Sequence, residues 1–137
     1  MRKKHIFIQD TGIFVDEFVV AVGCTEKDIR QFAKKEKLKK ELFLDVVFED
    51  DFKEIVSSDS AYTIYNKEFN NVVLVNLSKN DDSWDFLTSL LHEVVHVVQR
   101  IEIRKGLQKE DEARAYLTEY LFTNIRRKIY AGKHSIK

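Results

Sequence analysis

The chain has 137 residues, 44% of them hydrophobic and 34% charged, which is the size and make-up of one globular domain with one core. Lysine plus arginine equals aspartate plus glutamate at 23 each, so the basic excess of a nucleic-acid-binding domain is missing. The single cysteine, Cys24, excludes an intramolecular disulfide and a cysteine-built zinc cage. The opening "MRKKHIFIQD" has too short an apolar stretch for a signal peptide, and no segment reaches the length of a membrane span. A reduced, cytoplasmic setting is the expectation. Cys24, between "VVAVG" and "TEKD", reads as a small structural residue.

In chain order, "HIFIQ" and "IFVDEFVVAV" read as strands around the turn "DTG". Thr25 with Asp28 three residues on forms a capping box and opens a helix over "TEKDIRQFAKKEKLKKELF". "LDVVFED" reads as a short strand or the end of that helix, and "DDFKEIV" as one or two helical turns. Two β-rich runs, Ala61 to Tyr65 and Val72 to Leu77, flank a polar stretch ending in Asn70-Asn71 and predict a hairpin. After the loop "SKNDD", Asp82 or Ser83 caps a helix running to about Arg104, where Gly106 stops it. A last helix runs from about Glu110 to Tyr130, and the tail "AGKHSIK" is expected to be loose. The basic runs "FAKKEKLKK" and "NIRRKIY" read as solvated helix faces. The order predicts one α+β domain over 1–137: a small mixed or antiparallel sheet with a hairpin, packed against two long C-terminal helices. Residues 1–60 supply the first strands and helix, 61–130 the hairpin and the long helices, and 131–137 the tail.

The penultimate helix carries "LHEVVHVVQRI", in which His92, Glu93 and His96 form H-E-x-x-H. Residues four apart lie on one helix face, so both imidazoles can bind one Zn²⁺ from the same side. Glu93 projects beside the metal, placed to take the proton from water as a general base. Projected at about 100° per residue, Leu87, Leu90, Leu91, Val94, Val97, Val98 and Ile101 gather on one broad side. His92 and His96 fall opposite, among Asp85, Thr88, Ser89 and Gln99, with Val95 and Ile103 as exceptions. The histidines are therefore expected off the core face.

A catalytic zinc usually has three protein ligands. Glu102 stays on the same helix and points away from the histidine face, while His5 opens the first strand and His134 sits in the tail. The acidic start of the last helix, "KEDEARAYLTEYL", offers a carboxylate from a second helix packed antiparallel to the first, and Glu112 is the choice. Tyr116, Glu119 and Thr123 share its face; Leu117, Leu121 and Ile125 lie on the far side. Glu110, Asp111 and Glu119 are the alternatives.

"LLHEVVHVVQ" followed by "DEARAYLTEYL" resembles the small gluzincin-like metallopeptidases, whose third ligand is a glutamate on the following helix. The nearest likeness is to compact H-E-x-x-H proteins carried by bacteriophages and prophages; a more distant one is to metallopeptidases that inactivate phage-type repressors. The resemblance spans about residues 72 to 125. It implies His92, His96 and Glu112 as zinc ligands and Glu93 as base. Val94 and Val95 fill the two middle positions of the H-E-x-G-H that the repressor-inactivating group usually carries, and its downstream Leu-Leu-Met-Pro is absent, which weakens the inference of a repressor substrate.

The expected activity is peptide-bond hydrolysis by zinc-activated water, with Tyr116 as oxyanion donor and Tyr120 and His134 behind it. "VVLVNL" or its hairpin partner is placed to hold an extended peptide by edge pairing. The expected partner is a peptide or protein substrate, including a regulatory protein target, with neither nucleic acid nor membrane. The alternative is an effector that keeps a zinc-bound scaffold and acts by protein–protein binding; an intact Glu93 speaks against it.

Overall fold

A computed structural model describes residues 4–38, 61–66, 71–77, 84–107, 109–132 and 135–136. The elements are β1 (Lys4–Asp10), a 3-10 turn (Gly12–Phe14), β2 (Glu17–Val22), α1 (Glu26–Lys35), β3 (Tyr62–Asn66), β4 (Asn71–Leu77), α2 (Trp84–Lys105), α3 (Asp111–Ala131) and β5 (Ser135–Ile136). The expectations for "LDVVFED", "DDFKEIV", "SKNDD", the cap at Asp82 or Ser83, and His134 lie outside the described residues.

The five strands form one mixed sheet in the order β3-β4-β2-β1-β5, antiparallel except where β2 pairs parallel with β4. This is the expected α+β architecture, with two long C-terminal helices. Strand alternation sorts side chains onto two faces. Phe7, Phe18, Val20 and Val22 join α2 and α3 in one core, while Ile6, Val19 and Ala21 meet Ile29 and Ala33 of α1 in another. Because β2 is covered on both sides, its sequence is a continuous apolar run. On β4 the alternation breaks. Ile64 pairs with Leu74 but Tyr65 with Val72, so Val73 is an extra residue. Val73 and Leu74 consequently face the α1 side together, between Val72 and Val75 on the other.

Three boundaries differ from expectation. The second strand begins at Glu17 rather than Ile13. Asp10 accepts the Gly12 N–H at 2.9 Å, Thr11 exchanges bonds with Asp16, and Val15 takes a left-handed φ of 50°, which turns the chain before pairing resumes. A side chain at Gly12, whose φ is +65°, would press on the Tyr120 ring at 3.3 Å. The capping box at Thr25 and Asp28 is present, but α1 ends at Lys35. Lys37 adopts φ 53° and the Leu38 N–H bonds the Ala33 carbonyl at 3.0 Å, a Schellman closure without glycine. Finally, the tail is not loose where it is described: Ser135 and Ile136 pair with His5 and Lys4 and extend the sheet.

Cys24 is buried, its thiol donating to the His5 carbonyl, and burial pushes its pKa up to about 12. Such a thiol is inert, as a structural cysteine should be.

Candidate metal centre

Helix α2 packs its apolar stripe beneath the sheet. Phe86, Leu90, Val94, Val97, Val98 and Ile101 are all buried in the core shared with α3. Leu91 departs from the projection, being 46% exposed; Val95 and Ile103 are also exposed. With that phase fixed, His92 and His96 emerge on an open flank facing β3. Their Nε2 atoms lie 3.1 Å apart, with the rings edge-on at 76°.

Glu93 takes the direction between stripe and flank and is only 4% exposed. Burial of a carboxylate needs a donor, and the hairpin supplies one: Thr63 Oγ1 donates to Glu93 Oε2 at 2.8 Å. The other oxygen, Oε1, has no hydrogen-bond partner among the described residues. The ligand atoms of His92, Glu93 and His96 all lie within 4.8 Å of one another. They line an open pocket of about 300 Å³. Tyr62, Thr63 and Tyr65 of β3, with Ala61 before them, form its other wall, and Arg100 closes the end one turn beyond His96.

The donor set suits zinc. Two nitrogens on one tetrahedral zinc at ~2.0–2.1 Å stand about 3.3 Å apart, close to the observed 3.1 Å. Two imidazoles are nitrogen donors of the kind zinc takes, and with Glu93 beside them rather than on the metal they supply two of the usual three protein ligands among the described residues.

Glu112 is not brought to this group. It is exposed in the first turn of α3, and among the described residues no fourth His, Cys, Asp or Glu joins the three. The reason is helix register. Arg114 Nε and Nη2 bond both oxygens of the buried Glu102 at 2.6 and 3.1 Å, so the start of α3 stands beside the end of α2. Glu102 is six residues past His96, ~9 Å along the axis at about 1.5 Å per residue. Glu112 precedes Arg114 and lies at or beyond that level. Glu110, Asp111 and Glu119 are likewise exposed and outside the group. His5 is buried on β1, which β2 and β4 separate from β3, ~14 Å at about 4.8 Å per strand.

Tyr116 does not line the pocket either. It packs on Phe14 and Tyr120 at the β1–β2 turn, with ring centroids 6.2 and 6.0 Å away. Tyr120 is engaged there too, donating its hydroxyl to Asp10, which that bond holds below the usual carboxylate range. Tyr116 and Tyr120, two of the expected oxyanion donors, thus belong to a different contact. Thr63, Tyr62 and Arg100, which do meet the site, carry no motif. Tyr62 and Thr63 are identified only by knowing which strand borders α2, whereas Arg100 lies four residues after His96 on the same helix face.

Among the described residues no helix is long and apolar enough to cross a membrane. No protein-family model matches the chain, and no curated protein or solved structure matches it.

Proposed function

We propose that the chain is a zinc-dependent peptidase in which His92 and His96 hold the metal and Glu93 is the general base. The observation that carries this reading is the convergence of both imidazoles and the Glu93 carboxylate in one open pocket below β3. Zinc, when bound, polarises a carbonyl and makes water acidic enough to lose a proton near neutrality. Glu93 accepts that proton on the oxygen not held by Thr63 and returns it to the departing amine. Thr63 keeps the carboxylate in one orientation throughout. An extended substrate is held by backbone pairing along β3, one of the two outer strands of the described sheet and the one that borders the pocket. The side-chain donors lining the pocket are those of Tyr62, Thr63, Tyr65, the histidines and Arg100. Glu112 and Tyr116 are left out of this assignment.

The test is cleavage of a mixed peptide pool followed by mass spectrometry. Zinc-loaded protein should produce new termini. Chelation should stop this, and added zinc should restore it. A pool left intact by zinc-loaded, folded protein would refute the peptidase reading.

A further inference from the structure

His92, His96 and Arg100 are spaced four residues apart along one helix face, so Arg100 stands ~6 Å beyond His96 at about 1.5 Å per residue. Its guanidinium carbon lies 3.6 Å from the centroid of the Tyr65 ring. Stacking uses the face of the guanidinium and leaves its N–H edge available for in-plane bonds. Three other arginines have carboxylate partners: Arg30 pairs with Glu26, Arg104 with Asp16 and Arg114 with Glu102. Among the described residues no carboxylate stands within ion-pair distance of Arg100, although it lines the pocket that holds Glu93. A planar, oriented cation at a pocket's end is the arrangement that recognises a carboxylate bidentately.

We propose that Arg100, braced by Tyr65, is a specificity-determining residue that binds a carboxylate of the substrate about one helical turn from the His92–His96 pair. The peptidase reading supplies what then happens to the bound peptide; the binding preference is measurable without cleavage. The carboxylate has two sources, a chain terminus or an acidic side chain. Three otherwise identical acetylated alanine peptides separate them: one with a free C-terminus, one amidated, and one amidated with a single internal glutamate.

Dissociation constants are measured by NMR titration on the zinc-loaded wild type, Arg100→Met, Arg100→Lys and, as a control, Arg126→Met. Arg126 stacks on Tyr130 elsewhere on α3. The wild type and Arg126→Met should bind at least one carboxylate-bearing peptide about tenfold tighter than the neutral one, the size of one charge-assisted contact at a half-exposed site. Whichever peptide shows the preference identifies the source. In Arg100→Met the ratio should fall to within about twofold, with neutral-peptide affinity unchanged; Arg100→Lys should keep an intermediate ratio. Arg100→Lys also serves if the methionine variant does not fold. Equal binding of all three peptides by the wild type overturns the proposal. So does a preference that survives in Arg100→Met or is undiminished in Arg100→Lys, or an equal loss for charged and neutral peptides, which marks a merely structural role. Cleavage without carboxylate preference removes the subsite and leaves the peptidase; preference without any cleavage does the reverse.

Discussion

Glu93→Gln should retain zinc and fold while hydrolysis falls by roughly 10²–10⁴-fold, the usual worth of a general base. The substitution conserves shape. A glutamine carbonyl can still accept the Thr63 hydroxyl that now reaches Glu93 Oε2 at 2.8 Å, so the β3–α2 contact survives. What disappears is the basic oxygen. Stability should hold or rise slightly, because Glu93 is a buried carboxylate and its neutral isostere costs less to desolvate. Parallel measurements of kcat, zinc content and the unfolding midpoint check the three parts. Hydrolysis within twofold of wild type would remove Glu93 from the mechanism.

Leu121→Ala should destabilise the fold by roughly 2–5 kcal/mol in urea unfolding, a large share of the ~5–15 kcal/mol typical of a domain. Leu121 is fully buried in the core that joins α3 to α2 and the sheet, so truncation leaves a cavity. Leu91→Ala is the matched control. Leu91 is 46% exposed, and its loss should cost under ~1 kcal/mol. Similar costs at the two leucines would mean that the phase of α2 or α3 is wrong. That phase is also what puts His92 and His96 on the open flank.

The two leucines mark where sequence reasoning reaches its limit. The long helices were legible from periodicity, the start of α1 from Thr25 and Asp28, and the hairpin from two β-rich runs around a polar turn. Each of these signals is local. The helical period places Leu91 among its apolar neighbours, but the true width of the buried stripe depends on what α2 rests against. The α1 stop at Lys35 uses a left-handed lysine, and no glycine or proline in "KKEKLKK" announces it. The parallel pairing of β2 with β4 joins segments far apart in the chain.

The site divides in the same way. His92, Glu93 and His96 sit within one turn of one helix, so their spacing alone defines their mutual geometry. Glu112 depended on the register between two helices, which the Glu102–Arg114 pair sets with Glu112 at the far end. Tyr116 depended on which neighbour α3 meets, and that neighbour is the β1–β2 turn. Thr63 enters only because β3 borders α2. Long-range packing decides Glu112, Tyr116 and Thr63, for which a single sequence carries no pattern; Arg100 shares the face of His92 and His96 by its spacing, and packing supplies only its Tyr65 brace.

Zinc stoichiometry decides whether His92 and His96 hold a metal. Protein purified without chelator, loaded with zinc and dialysed, is assayed by elemental analysis as wild type and as His96→Ala. About one zinc per wild-type chain is expected, with nearly all of it lost in His96→Ala and the circular-dichroism spectrum unchanged. A wild type that binds no zinc, or a His96→Ala chain that binds as much as the wild type, would contradict that assignment. The 3.1 Å contact between His92 and His96 would then be an imidazole–imidazole hydrogen bond and nothing more.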